Sequence, residues 1–252
     1  MIHIEPNDEN RLLDALASLC RKGPVEPVGT GPNAIGKTLQ EMLDIKHSTS
    51  NRNTLHNFVI TATKSRPQSG GRTNLFACVA DWKNSRCKSS KELAERYGRE
   101  DASRGYAHSL FCTSSATGPN GFGLKLNVNP EDQALEEWHT SDEGETPVVR
   151  WCATRLINKL AALGKSAIVT ALPVTMKSGR NFYHYRYVDI LGQPDSSSFF
   201  ELLSHGIITI DHCISIPAKG GPAREQGPLF KIRADARSEL YGSLRRIDLL
   251  DL

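Results

Sequence analysis

Gly31 to Thr38, GPNAIGKT, fits the pattern G-x-x-x-x-G-K-[ST] of a loop that cradles nucleotide phosphates. In such a loop the glycine-rich backbone turns its N–H groups toward the phosphates. Lys37 would reach the terminal ones, and Thr38 would hold a magnesium ion. Further on, GIITID (Gly206 to Asp211) offers an apolar run ending in an acid, as a second magnesium-holding motif would. The chemistry needs more than the pattern, because the loop must join a buried strand to a helix N-terminus whose free N–H groups meet the anion. A helix can follow, but KGPVEPVGT before Gly31 holds two prolines and only two valines, which rules out a central strand. Asp211 can equally mark the polar end of an ordinary strand. A P-loop NTPase is therefore the third reading of this chain, and loss of ATP turnover in Lys37→Ala would revive it.

Charge distribution is a second chemical signal. The net charge of +3 argues for no partner by itself, but residues 64–104 carry ten Lys and Arg against five acids. Residues 131–145 carry seven acids and no Lys or Arg. A basic half is what a polyanion-binding face requires, since each phosphate neutralised releases counterions. The aromatic run FYHYRY reads as a strand with Phe182, Tyr183, Tyr185 and Tyr187 alternating between core and surface, a base-stacking platform being the second reading. The six cysteines are scattered without a C-x-x-C and several lie in apolar runs, so they read as reduced, buried thiols of a cytoplasmic protein. Asp211-His212-Cys213 and His108 with Cys112 do not make zinc sites, because neighbouring strand residues face opposite ways.

The elements that must position these residues follow from periodicity. A helix is expected over 8–21, capped by Asn7 or Asp8, with Leu12, Leu13, Leu16, Leu19 and Cys20 on one face. Residues 1–30 are thus an N-terminal helix and a Pro/Gly-rich loop. A second helix is expected from Ala34 to Lys46. Strands are expected over 57–64, 73–80, 108–115 and 122–128, with a helix at 89–97 between the second and third. An acidic link covers 129–147, a helix 149–164, and strands 165–174 and 181–188 come next. A short helix near 196–204, strands 206–216 and 228–234, and a terminal helix from about 235 complete the chain. Strands interleaved with helices over 252 residues indicate one mixed α/β (α+β) domain with a central sheet. No run of about 18 apolar residues is present to span a membrane, and MIHIEPNDEN lacks the basic flank and apolar core of a signal peptide.

The order of several segments resembles the MvaI/BcnI type II restriction endonucleases, a family with a MutH-like fold. The likeness is carried by IGKTLQEML, HNFVITATKS followed by RTNLF, RYG, LFCTSSATGPNGFGLKL, SAIVTAL, LLSHGIITIDHCIS and GGPAREQGPLFKI, and it covers roughly residues 30–240. It implies a PD-(D/E)xK core: a central mixed sheet flanked by helices, with two lobes around a cleft for duplex DNA. It also implies magnesium held by carboxylates, because phosphodiester hydrolysis needs a metal to neutralise the phosphate and to generate hydroxide.

Carried over residue by residue, the family's lysine falls on Lys64. The strand-start aspartate, seven residues earlier, falls on Asn57, and the glutamate two before the lysine falls on Ala62. The helix glutamate, four after the glycine of IGKT, falls on Gln40, with Glu41 next door as a substitute pointing about 100° away. An additional lysine of some members falls near Ser115. Two amides and a methyl group thus stand where the resemblance calls for three carboxylates, so the expectation is a centre that holds no metal. DNA contacts are expected from Arg66, Arg72 and Lys219, and from the PAREQGP loop, where Arg224, Glu225 and Gln226 replace the family's base-reading residues. The chain therefore reads as a cytoplasmic protein that binds double-stranded DNA and does not cleave it, or as a partner subunit in a defence or DNA-processing system. The alternative is a magnesium-dependent endonuclease, either with the site residues in another register or with Glu41, Asp44 or Asp81 as substitute acids.

Overall fold

The computed structural model describes residues 7–31, 33–45, 54–64, 71–129, 131 and 133–252. In chain order the elements begin with α1 (Asp8–Arg21), α2 (Ala34–Met42), β1 (Thr54–Leu55), β2 (Phe58–Thr63), β3 (Arg72–Ala77) and α3 (Ser90–Tyr97). Next come β4 (Arg99–Asp101), β5 (Tyr106–Ser114), β6 (Leu124–Asn129), β7 (Ala134–Ser141), β8 (Gly144–Trp151) and α4 (Ala153–Ala161). Then follow β9 (Ser166–Thr175), β10 (Asn181–Leu191), α5 (Ser196–Ser204), β11 (Ile208–Pro217), β12 (Arg224–Glu225), β13 (Leu229–Arg233), α6 (Arg237–Tyr241) and β14 (Leu244–Asp248). The mixed α/β class is as the sequence indicates.

The chain divides into two compact units. The first comprises Met1–Gln68, Leu163–Pro194 and Tyr241–Leu252. Its sheet runs β1-β2-β9-β10-β14, with β2 and β9 parallel and the other neighbours antiparallel. Since β2 and β9 are sequence-distant, their pairing rests on the core rather than on a local turn. Leu12, Leu16 and Leu19 of α1 and Ile35 and Leu39 of α2 pack against Phe58, Ile60, Val169, Tyr185 and Val188 of the sheet. α1 starts where expected because Asn7 Oδ1 accepts the Asn10 N–H at 2.9 Å, satisfying one of the helix's orphan donors.

The second unit comprises Ser69–Ala162 and Asp195–Leu240. One sheet runs β3-β13-β11-β5-β4 with β12 beside β11, and a three-stranded sheet runs β6-β7-β8. Phe76, Phe199, Phe230 and Trp151 form an aromatic core, with the Phe76 and Phe230 rings stacked at 5.0 Å and Trp151 edge-on to Phe230 at 6.0 Å. The Trp151 indole N–H donates to the Cys78 carbonyl at 3.0 Å, which meets its buried polar atom.

Four expectations are corrected. The acidic stretch expected as a link is a hairpin, β7 and β8, because Leu135, Glu137, Val149 and Trp151 turn inward while acids such as Glu143 and Glu145 stay outside. The helix expected from residue 149 begins at Ala153, since Val149 to Trp151 are taken by β8. The second helix stops at Met42, where Leu43 and Asp44 leave helical geometry, and Lys46 lies outside the described residues. The terminal helix is only Arg237–Tyr241, and residues 244–248 become an edge strand on β10. A period-two pattern this short is hidden by its flanking charges.

Candidate functional site

In the first unit the chain builds a pocket between α2 and β2. Its volume is about 260 Å³, and Asn33, Ile35, Gly36, Lys37, Gln40 and Ala62 line it. The pocket thus brings together Gln40 and Ala62, two of the four positions singled out in the sequence. It adds Lys37, which lies three residues before Gln40 and so on the same helical face, a spacing that the sequence already displayed. Among the described residues no carboxylate lines the pocket.

Neutral hydrogen bonds hold the pocket wall. The Thr38 hydroxyl, with no exposed surface, donates to the Ala34 carbonyl at 2.7 Å and accepts the Val28 N–H at 2.8 Å. The Tyr185 hydroxyl donates to the Ile35 carbonyl at 2.7 Å, and burial pushes its pKa well up. Thr38 is therefore committed to shaping the turn into α2 and is not turned toward a nucleotide's metal. The segment before Gly31 contributes only an isolated bridge, Val25 to Tyr183. Both facts count against the NTPase reading.

Asn57 and Lys64 lie at opposite ends of β2. By the two-residue period Lys64 and Ala62 share the face of Phe58 and Ile60, and the exposed Lys64 ammonium stands 5.6 Å from the Tyr183 ring centroid. Asn57 precedes the strand in a two-residue hairpin turn, His56 and Asn57 both having positive φ (47° and 64°). Its amide donates to Asp8 at 2.6 Å. It stands about 16 Å along the strand from Ala62 at the usual rise per residue. Glu41 and Asp44 are exposed and do not line the pocket. Asp81, in the second unit, accepts the Asn84 amide at 2.7 Å, and that bond first of all holds its carboxyl below the usual range.

The aromatic strand does not offer a stacking platform. Tyr183 and Tyr185 are both buried, and the bulge after Tyr185 shifts the alternation, so the Tyr187 ring lies against the guanidinium groups of Arg186 (5.3 Å) and Arg246 (4.8 Å). His184 donates through Nε2 to the Cys20 carbonyl at 3.1 Å, with the Cys20 thiol 3.5 Å away. Burial raises that thiol's pKa, so the pair is not an activated nucleophile.

The second unit carries most of the expected DNA-contacting residues. Arg72 forks onto Asp211 at 2.5 and 3.3 Å, and Lys231 reaches the same carboxylate at 2.6 Å. Lys219 is exposed in the turn after β11. In the PAREQGP loop, Arg224 and Gln226 are exposed, whereas Glu225 pairs with Ile214 and has one buried carboxylate oxygen without a hydrogen-bond partner among the described residues. Arg66 lies outside the described residues.

Two features escaped the sequence reading: Asp211 as a hub for cations, and a fully buried pair in which His212 Nε2 donates to Glu137 at 2.9 Å. Burial opposes charge on His212, yet the Glu137 carboxylate outweighs it, with help from Glu225 and Asp211, and raises the imidazole pKa. Cys112, opposite His212 on β5, has its thiol pushed up to about 12, first by burial and then by Glu137.

The profile of the MvaI/BcnI restriction endonuclease family matches residues 13–241. Among solved structures, the restriction endonuclease MvaI–cognate DNA substrate complex has the same fold, with a TM-score of 0.72 at 20% identity over 98% of this chain and 100% of that one. The restriction endonuclease MvaI in the absence of DNA gives a TM-score of 0.60 at 20% identity, with the same coverage. Comparison with curated proteins returns no match.

Proposed function

The chain belongs to the MvaI/BcnI restriction endonuclease family, and on that premise we propose that it binds duplex DNA without hydrolysing it. The observation that supports this reading best is the lining of the α2–β2 pocket, which joins Gln40 and Ala62 with Lys37 and contains no carboxylate among the described residues. Magnesium is held through hard, usually anionic oxygens and gives up its water reluctantly. An ammonium group beside amides and a methyl group does not fit such an ion, so no hydrolytic step is routed through it. The same groups suit a phosphodiester instead: Lys37 supplies positive charge, while the Asn33 and Gln40 amides can donate to its oxygens. Exposed Lys64 adds charge at the end of β2. Arg66, Arg72, Lys219 and Arg224 add backbone contacts, and Gln226, two residues after Arg224, has the donor and acceptor pattern for a base edge. Such a protein would act by recognition, or beside a partner subunit that supplies cleavage in a defence or DNA-processing system.

A second reading, a magnesium-dependent endonuclease, draws on the activity named for the family and on exposed Glu41 and Asp44 at the end of α2. Plasmid incubated with the protein and magnesium separates the two. The expected result is intact supercoiled DNA together with retardation of a duplex at low salt that fades as salt is raised. Cleavage that disappears in Lys64→Ala would establish the second reading in place of the first. Absence of any retardation at low salt would remove both.

A further inference from the structure

The polar face of the second unit's larger sheet carries an arrangement that charge counting does not reveal. Along β11 the alternation puts Ile208, Ile210, His212, Ile214 and Ile216 on one side and Thr209, Asp211, Cys213 and Ser215 on the other, where Thr209, Asp211 and Ser215 are themselves buried. On that second side, Asp211 collects donors from three other strands of the sheet. Arg72 of β3 binds it at 2.5 and 3.3 Å, Lys231 of β13 at 2.6 Å, and the Thr113 hydroxyl of β5 donates at 2.7 Å. Thr209, one pleat along β11, accepts a further Arg72 N–H at 3.0 Å. The side chains of Arg72 and Lys231 remain 34% and 22% exposed, against 12% for Asp211, so the cations lie outermost and the acid beneath them.

We propose that Asp211 is a positioning residue for phosphate binding, holding the Arg72 guanidinium and the Lys231 ammonium side by side so that a backbone phosphate meets two preset cations. This rests on the DNA-binding reading above. Two cations over one anion leave one net positive charge, and both cations carry more donors than Asp211 and Thr209 accept. A phosphate oxygen would complete the alternation of charges. Long Lys and Arg side chains otherwise lose rotamer freedom on binding, and a ligand that finds them already fixed avoids that cost. Burial alone would raise the Asp211 carboxyl, but the bonds from Lys231, Thr113 and Arg72 outweigh it and hold the group ionised below the usual range.

The inference makes a prediction opposite in sign to simple electrostatics. Asp211→Asn removes a negative charge, so charge counting alone expects tighter binding to DNA. Positioning expects weaker binding, by about three- to tenfold, with the slope of affinity against salt reduced by about one. The measurement is fluorescence anisotropy with a labelled duplex between about 50 and 200 mM salt, on variants first checked for an unchanged thermal melt. Asp211→Glu should recover binding to within about twofold, which loss of charge or fold would not explain. Unchanged or tighter binding by a folded Asp211→Asn overturns the inference while leaving the DNA reading in place. No binding by the wild-type protein removes both. Should Asp211→Asn fail to fold, Arg72→Ala and Lys231→Ala are combined. Losses that do not add support cations coupled through their shared carboxylate, and additive losses overturn it.

Discussion

The wall of the α2–β2 pocket and the neighbourhoods of Asp211 and Glu137 use opposite means to hold polar groups in place. Around the α2–β2 pocket, the buried polar groups Thr38 and Tyr185 are neutral and each hydroxyl meets a backbone atom. In the second unit the buried or half-buried acids Asp211 and Glu137 are ionic and each is already matched to cationic partners. The difference teaches where carboxylates are tolerated in this chain. An acid persists where cations bind it directly, as at Asp211, whereas positions 40 and 62 hold an amide and a methyl group although Lys37 lines the same pocket. Asn57 even faces Asp8, so an acid there would meet another acid.

The comparison breaks most visibly at His212. His212→Ala would leave Glu137 buried and unpaired, at a cost of about 3–5 kcal/mol read by urea unfolding near neutral pH. Because the folded-state pKa lies above the ordinary 6.5, the pair's contribution is complete below that pH and is lost as pH rises through the folded value. Wild-type stability should therefore decline on the alkaline side more steeply than that of His212→Ala. Equal slopes would show that the imidazole is neutral throughout.

A smaller effect is expected in the first unit from Thr38→Val. It strands the Val28 N–H and should cost about 1–3 kcal/mol, with the same loss at every pH from 5 to 9 and at every salt concentration, since no charge is involved. A loss that varied with salt would contradict the neutral construction of the pocket.

Smallest is Asn57→Asp, which restores the family's acid. The site is exposed, so losing one hydrogen bond and gaining repulsion from Asp8 should cost about 0.5–1.5 kcal/mol, and high salt should recover part of it. A stabilised variant would show that the turn still accommodates a carboxylate.

Much of the architecture was legible because periodicity reports burial directly. α1, α3, α5, β2, β5, β9 and β11 all lie close to their expected places, since each carries a clean apolar face or run. The hairpin at 134–151 was not legible: its acids suggest solvent, and only pairing reveals that Glu137 faces His212. The edge strand β14 was missed because its partner β10 is distant in sequence. At the candidate site, the IGKT-like stretch and Lys37–Gln40 spacing were visible in one dimension. The enclosure of Ala62 beside them was not, because it depends on how α2 lies over β2.

The sequence by itself determined the family, the mixed α/β class and the chemical poverty of positions 40, 57 and 62 in anionic ligands, because these are properties of residue types and their order. Only the tertiary structure decided that Thr38 is a buried brace, that Arg72 shares Asp211 with Lys231, and that Glu225 turns inward. Such facts depend on which strands become neighbours, and long-range pairing is set by the burial of whole faces, which no local pattern encodes.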